Sequence, residues 1–278
     1  MQGSETRTCA TCGAVVTGAY CASCGEKSLV REELTLAEQA RQVWSGLVRY
    51  DAKTLRSLVL LGLRPGFLAF EYCRGARIRY LKPVQLFLLA NVLYFLAAPY
   101  LEVPSLRSAL EARFEGKLYD LHFDAAFRQQ VEASGGAVGE LAQQFREVHE
   151  RWARALLALL VPPVTLVLAL FDTRRKRTLI EQAVLALNFV AFAVLYAQVG
   201  VGFAVGKLTN SADPATAEVA VTAATEAVLI LWWTLAFQRF YGWHWRRGLL
   251  QALAMAHLVF PLVIGYRYLL GWLTLWTL

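Results

Sequence analysis

The sequence predicts an all-α polytopic membrane protein with about five transmembrane helices, a small N-terminal zinc ribbon and cytoplasmic interfacial helices. Apolar residues make up 57% of the 278 residues and charged residues only 18%, whereas soluble domains carry roughly 25% charged residues. Four of the five cysteines form two CxxC pairs near the N-terminus. Long apolar segments alternate with short basic connections, an arrangement typical of multi-span membrane proteins.

The chain is basic, with a formal net charge of +7. In a membrane protein, excess Lys and Arg sets the orientation and attracts anionic lipid, which we expect as a partner. Nucleic acid is not expected as a partner, because the basic residues are scattered through loops beside apolar spans. Residues 1–33 are polar and show none of the features of a signal peptide, so we expect a retained, cytoplasmic N-terminus.

Residues 1–26 are predicted to form a zinc ribbon. The candidate ligands are Cys9, Cys12, Cys21 and Cys24. Two CxxC turns present four thiolates as a tetrahedron, which suits structural Zn²⁺; iron in the same cage and paired disulfides in an oxidising compartment are the alternatives. The segment has almost no apolar core, so the metal would supply its folding energy. All four ligands come from the protein, which leaves no open position for catalysis and favours a staple or docking module.

Residues 27–83 are predicted to form amphipathic basic helices at the membrane interface. Helical spacing gives a first helix over Leu34–Val48, and Asp51 is suited to cap a second. Pro65 is suited to open a third helix that runs through Tyr72. These segments are too short to cross a bilayer, so they lie in the interface or form a re-entrant element.

The segment from Glu71 to Pro83 is the densest in basic and aromatic residues. Arginine offers a planar fork for phosphate oxygens, and tyrosine suits the headgroup layer. The candidates for binding a lipid headgroup are Arg64, Arg74, Arg77, Arg79 and Tyr80. The alternative is that these residues only anchor the chain on the inner side of the membrane, just before the first span. Cys73 stands alone in this segment and is expected to be a packing residue.

Several motifs precede the first span: Tyr50-Asp51-Ala52-Lys53-Thr54-Leu55, Leu63-Arg64-Pro65-Gly66, Glu71-Tyr72, Gly75-Ala76-Arg77, and Arg79-Tyr80 with Pro83. Together with the ribbon ending Cys21-Ala22-Ser23-Cys24-Gly25, they resemble bacterial membrane proteins of domain of unknown function 3667. The resemblance covers residues 9 to about 100, and that family often has Lys where Ala76 stands. It implies a bacterial inner-membrane protein and carries no activity.

Five apolar segments are long enough to cross about 30 Å of hydrocarbon. We predict spans at residues 84–101, 153–171, 180–206, 217–238 and 249–270, so that residues 153–278 hold the last four. The connections at 172–179 and 239–248 are basic and fall on the side of the N-terminal segment. This asymmetry places the N-terminus inside and the C-terminus outside. The tail from Gly271 to Leu278 extends the last span or lies at the interface.

Residues 102–152 are too many for a bare connection and are predicted to form a small helical cap outside the membrane. His122 and His149 in this cap lack the spacing of metal ligands and are expected to be solvated. The Trp232-Trp233 pair is expected in the aromatic belt at the inner membrane face.

Polar side chains inside spans are costly in hydrocarbon and are therefore candidates for function. The mid-membrane candidates are Asn188, Glu226 and His257. They predict either a proton or ligand site with Glu226 as the carrier, or polar contacts that hold the helices together. Glu181 follows Arg177 by four residues and is predicted to pair with it at the inner boundary.

The sequence contains no GxSxG or HExxH motif and no glycine loop that would cradle phosphate. It therefore favours a non-enzymatic protein of the bacterial inner membrane; an enzyme would have to use Arg, Glu and Tyr at the interface. We expect a scaffold or an assembly or regulatory factor whose ribbon docks a cytoplasmic partner. The alternative is the handling of an anionic lipid or a polyprenyl phosphate by the interfacial arginines.

Overall fold

The structure is a computed structural model of the chain. It describes residues 7–17, 20–25, 52–97, 144–145, 148–149, 151–153, 156–172, 177–201, 203–204 and 214–277. Two short strands open it, β1 (Arg7–Thr8) and β2 (Val15–Val16), and they pair antiparallel. Two helices precede the apolar part, α1 (Ala52–Leu63) and α2 (Phe67–Cys73).

Within the described residues, an apolar helix lies at each place where the sequence predicts a span. These helices are α3 (Pro83–Ala97), α4 (Val161–Phe171), α5 (Leu179–Phe192), α6 (Pro214–Tyr241) and α7 (Trp245–Thr277). A 3₁₀ turn at Leu157–Leu160 leads into α4, and α5 continues as a π-helix over Ala193–Val201.

Three helical stretches are long and apolar enough to cross a membrane: Leu179–Val201, Ala220–Tyr241 and Trp245–Thr277. The stretches Pro83–Ala97 and Leu157–Phe171 are apolar but shorter within the described residues, so the structure shows three candidate spans rather than five. α7 runs on to Thr277, and its 33 residues extend for about 50 Å at 1.5 Å per residue. The C-terminal tail therefore extends the last helix.

The hydrophobic core lies around α5, which packs against α2, α3 and α4. Aromatic rings of α5 and α6 interleave: the ring of Phe189 lies 4.3 Å from that of Trp233, and the ring of Phe192 lies 5.2 Å from that of Trp232. Trp232 and Trp233 are buried, so the prediction that they form part of an aromatic belt is wrong. α6 extends three residues past its predicted end, to Tyr241, and the pair consequently lies deeper in the helix.

His149 is buried against the end of α7, so the prediction of a solvated side chain is wrong for this residue. Its Nδ1 lies 3.3 Å from the Thr274 Oγ1, and its ring stacks on that of Phe145 at 5.6 Å. The cause is the length of α7, which carries Thr274 onto the residues that precede α4. Outside the described residues lie His122, the helix predicted over Leu34–Val48, the Asp51 cap and most of 102–152.

Candidate metal centre and basic turns

The four predicted ligand cysteines converge. Their Sγ atoms all lie within 4.8 Å of one another, with 3.5 Å between those of Cys9 and Cys24 and 3.6 Å between those of Cys12 and Cys21. A tetrahedral ion with metal–sulfur bonds of about 2.3 Å separates its sulfurs by about 3.8 Å. None of the four cysteines forms a disulfide. The cluster can therefore hold a metal ion, as the CxxC spacing predicts.

The two CxxC turns have the same backbone geometry. The Gly13 N–H donates to the Cys9 carbonyl at 2.9 Å, and the Gly25 N–H donates to the Cys21 carbonyl at 2.8 Å. Both glycines have a left-handed φ, 77° at Gly13 and 73° at Gly25, a conformation that glycine adopts without a steric penalty. Each glycine thus lets the chain turn sharply directly after the second cysteine of its pair.

Backbone amides face the sulfurs of the first cysteine in each turn. The N–H groups of Cys12 and Thr11 lower the pKa of the Cys9 thiol to about 7. Those of Cys24 and Ser23 lower the pKa of the Cys21 thiol in the same way. Hydrogen bonds to a thiolate favour the charged form, and the thiolate is the form that binds metal.

The ribbon, residues 7–25, has a very small core and exposes apolar side chains. Its buried side chains in the described part are those of Cys9, Val16 and Cys21. Val15 and Tyr20 are 65% and 64% exposed, respectively. Packing therefore contributes little to the stability of the ribbon, and a bound metal is the natural source of its folding energy.

The ribbon lies beside the turn that contains Arg77 and Arg79. A Cβ atom added to Gly25 would be 3.9 Å from the Ile78 Cδ1. The second CxxC turn is thus a neighbour of the segment that enters α3. The two regions that the sequence marks as functional candidates therefore adjoin.

The Arg64-Pro65-Gly66 turn is fitted against α6. Gly66 has a φ of 72°, and a Cβ added there would lie 2.8 Å from the Ala236 Cα, so only glycine fits without a shift of the backbone. The Arg239 Nη1 donates to the Pro65 carbonyl oxygen at 2.6 Å. The predicted third helix is present as α2, but it begins at Phe67 because Pro65 and Gly66 form this turn.

α1 packs among the long helices and does not lie clear of them. The Tyr196 hydroxyl donates to the Leu58 carbonyl at 2.8 Å, and the Trp232 Nε1 donates to the Leu61 carbonyl at 3.4 Å. Tyr196 belongs to the π-helix, and Trp232 precedes the end of α6 by nine residues. The Leu61 carbonyl belongs to the last turn of α1, where carbonyl groups have no partner within the helix, and Trp232 supplies a donor for it. Of the two predicted placements, these contacts favour the re-entrant one.

The predicted headgroup residues have different surroundings. Arg74 pairs with Glu71 at 2.7 Å, and the Arg77 guanidinium lies 4.6 Å from the centre of the Tyr72 ring. Tyr80 is buried, with its ring edge-on to that of Phe67 at 5.7 Å. Arg79 is exposed, and so is Arg64, whose guanidinium lies 5.7 Å from the centre of the Phe67 ring.

Arg177 joins the start of α5 to the end of α6. The predicted pair with Glu181 is confirmed, with 3.2 Å between Nη1 and Oε1. Its Nη2 also donates to the Phe240 carbonyl at 2.7 Å, and its backbone N–H donates to the Asp172 carboxylate at 2.8 Å. The contact with Glu181 has a local signal in the sequence, whereas Phe240 is 63 residues away along the chain. The guanidinium also lies 4.6 Å from the centre of the Phe240 ring.

The Cys73 thiol is partly buried at the end of α2. Burial, and to a smaller extent the nearby Glu181 carboxylate, raises the pKa of this thiol to about 12 against the opposing charges of Arg177 and Arg77. The group is therefore a neutral thiol at physiological pH. This state suits the packing role that the sequence predicts and does not suit a nucleophile.

The mid-membrane candidates face different environments. Asn188 is buried in α5, and neither atom of its amide has a hydrogen-bond partner among the described residues. Glu226 and His257 are exposed on the surface of the described bundle, and the His257 Nδ1 lies 3.0 Å from the Leu253 carbonyl oxygen. Asn188 is therefore buried, whereas the two ionisable residues are exposed.

Residues 51–95 match the model of a family described as "Protein of unknown function (DUF3667)". The matched segment contains α1, the Arg64-Pro65-Gly66 turn, α2 and nearly all of α3. Over these residues, the match confirms the resemblance found in the sequence. No curated protein and no solved structure matches the chain.

Proposed function

We propose that this member of the DUF3667 family is a non-enzymatic protein of the bacterial inner membrane whose zinc ribbon docks a cytoplasmic partner. In this role the chain is a membrane scaffold or an assembly or regulatory factor. The observation that carries the proposal is the ribbon itself: four thiols converge within 4.8 Å, while Val15 and Tyr20 are exposed beside them.

The chemistry of the cluster supports docking more than catalysis. Four cysteine ligands complete a tetrahedral shell, so a bound ion has no position left for water or substrate. Zn²⁺ is the ion best suited to four thiolates in a structural site, and iron is the alternative. Tyrosine is among the side chains that contribute most at protein interfaces, and Tyr20 is 64% exposed.

The proposed membrane arrangement has five spans, with the N-terminus in the cytoplasm and the C-terminus outside. The apolar helices Pro83–Ala97 and Leu157–Phe171 lie where the sequence predicts spans at residues 84–101 and 153–171, and they are the two additional spans. The basic connections at 172–179 and 239–248 then share the cytoplasmic side with the ribbon, as the positive-inside rule requires.

Photo-crosslinking in intact membranes tests the docking role. A crosslinking amino acid at Tyr20 should give a discrete protein adduct, and the adduct should disappear when Cys12→Ser removes a metal ligand. The same crosslinker at Trp276, which is 82% exposed at the far end of α7, is the matched control and should give no such adduct. Absence of an adduct at Tyr20, or an adduct that survives Cys12→Ser, would overturn the proposal.

A second candidate function is the handling of an anionic lipid or a polyprenyl phosphate. It is favoured by the cationic side chains around the ribbon contact: Arg79 is exposed, and Arg77 is held over the Tyr72 ring at 4.6 Å. The full candidate set is Arg64, Arg74, Arg77, Arg79 and Tyr80. Native mass spectrometry of the gently extracted protein should show a selectively bound anionic lipid that is lost in an Arg77→Ala/Arg79→Ala variant. No selective lipid on the wild type would exclude this candidate.

A further inference from the structure

Two arginines from distant parts of the chain meet at the Arg64-Pro65-Gly66 turn. The Arg239 Nη1 lies 2.6 Å from the Pro65 carbonyl oxygen, which places the Arg239 guanidinium against the turn that carries Arg64. Arg64 directly precedes Pro65 in the chain, so the two basic residues are neighbours at this turn. Both side chains are exposed, and neither pairs with a carboxylate among the described residues.

The fold holds these like charges together through contacts that do not depend on their charge. Gly66 fits against Ala236 with no room for a side chain, and this contact fixes the turn on α6. Arg64 has no side-chain hydrogen bond among the described residues, and its guanidinium only overlies the Phe67 ring. Like charges at close range repel, and an anion bound between them reverses the sign of that interaction. Most of the donors in the two guanidinium forks remain available for such an anion.

An exposed apolar stripe leads to this pair along α1. Leu55, Val59 and Leu63 recur every four residues and are 68%, 44% and 77% exposed, respectively. Because residues four apart share a helix face, they form one apolar surface that ends beside Arg64. An apolar stripe next to arginine is typical of a helix at the boundary between headgroups and acyl chains.

A phospholipid presents the same two chemistries in the same order, an acyl chain followed by a phosphate. We propose that Arg64 and Arg239 together bind the phosphate of one anionic phospholipid, whose acyl chain lies along Leu55, Val59 and Leu63. This inference adds a specific binding site to the second candidate function, the handling of an anionic lipid. It rests on that function only in assuming that the protein binds an anionic lipid. It adds Arg239, which lies outside the family match at residues 51–95 and which local sequence patterns do not connect with Arg64.

The test is native mass spectrometry of the detergent-extracted full chain titrated with phosphatidylglycerol, with phosphatidylcholine and with inorganic phosphate. The wild type should bind one phosphatidylglycerol in preference to phosphatidylcholine, and inorganic phosphate should not displace it. Arg64→Gln and Arg239→Gln should each lower phosphatidylglycerol binding by about five- to tenfold, since each removes a basic group from an anionic headgroup. Arg246→Gln is the matched control, because Arg246 is an exposed arginine after α6 whose guanidinium lies over the Trp245 ring; it should change binding less than twofold.

Arg239→Gln loses the hydrogen bond to the Pro65 carbonyl and could unfold. In that case Arg64→Gln alone still tests the proposal. Arg64 donates no side-chain hydrogen bond within the described chain, so its variant should keep the thermal stability of the wild type. If Arg64→Gln and Arg246→Gln lowered phosphatidylglycerol binding equally, the loss would follow from the change in net charge alone, and the proposed site would be overturned. Displacement by inorganic phosphate would assign the pair to a free anion and equally overturn it. Binding lost in Arg77→Ala/Arg79→Ala but kept in Arg64→Gln would leave the lipid candidate standing and remove this site.

Discussion

The ribbon and the helical bundle are held together by different forces. Buried packing in the ribbon is limited to a few side chains around Val16, and its four thiols supply the main means of cross-linking the chain. The bundle has a continuous aromatic and aliphatic core, in which the rings of Phe189 and Trp233 lie 4.3 Å apart. The comparison teaches that the ribbon has little packing of its own and four thiols that could hold an ion, whereas the shape of the bundle depends on complementary side chains.

The largest expected difference between the two regions follows from the removal of one ligand. Cys12→Ser should lower the metal content from one ion per chain to nearly none, because three thiolates no longer complete the tetrahedral shell. The helical content of the bundle should stay unchanged. Elemental analysis together with circular dichroism measures both. Cys73→Ser is the matched control and should retain the metal, since Cys73 lies at the end of α2.

Acidification should also separate the two regions. The pKa of the Cys9 thiol is lowered to about 7, so the stability that its thiolate provides is complete at high pH and is lost as the pH falls through about 7. Apparent metal affinity, measured against a competing chelator, should therefore fall steadily below pH 7. The Cys73 thiol, with a pKa raised to about 12, should resist alkylation throughout this range. A metal affinity that does not change between pH 8 and pH 6 would contradict the argument.

Within the bundle, the Arg64-Pro65-Gly66 turn should be the most sensitive to a small substitution. Gly66→Ala should destabilise the bundle by roughly 2–5 kcal/mol. The alanine would have to adopt a left-handed backbone conformation, and its Cβ would lie 2.8 Å from the Ala236 Cα. Thermal unfolding in detergent measures the loss. Gly265→Ala should change stability by less than about 1 kcal/mol, because a Cβ there meets no atom within 4 Å. Equal shifts in both variants would show that the fit against α6 does not matter.

A smaller effect is expected from the contact that holds α1 against the π-helix. Tyr196→Phe removes the 2.8 Å hydrogen bond to the Leu58 carbonyl and keeps the ring packed on Gly62. The cost should be about 0.5–1 kcal/mol, and hydrogen exchange should speed up locally in α1. Unchanged exchange in α1 would mean that α1 is held by other contacts. Metal content should stay at one ion per chain in this variant.

The parts of the structure that were predictable from the sequence have local causes. The cysteine ligands lie in two CxxC turns, the Arg177–Glu181 pair is one helical turn apart, and the apolar helices follow continuous apolar segments. The errors concern residues whose surroundings come from distant parts of the chain. Trp232 is buried by α5, and His149 is buried by the extended end of α7.

The same reason explains the functional residues that the sequence did not reveal. The local sequence indicates only that Gly66 is a turn residue, whereas its fit against Ala236 depends on the packing of α6. The local sequence indicates only that Arg239 is a basic residue at the end of a span. Its hydrogen bond to the Pro65 carbonyl arises from the fold. Residue spacing predicts neighbours along one helix or turn, whereas these contacts span more than 160 residues.

Hydrogen–deuterium exchange of the full chain in lipid nanodiscs, before and after chelation of the metal, tests the separation of the two regions most directly. Removal of the metal should abolish protection in residues 7–25 and leave protection in α3, α5 and α6 unchanged. Exchange around Ile78 should rise slightly, because this residue lies next to Gly25. A ribbon that stays protected without metal, or a bundle that loses protection together with it, would contradict the account.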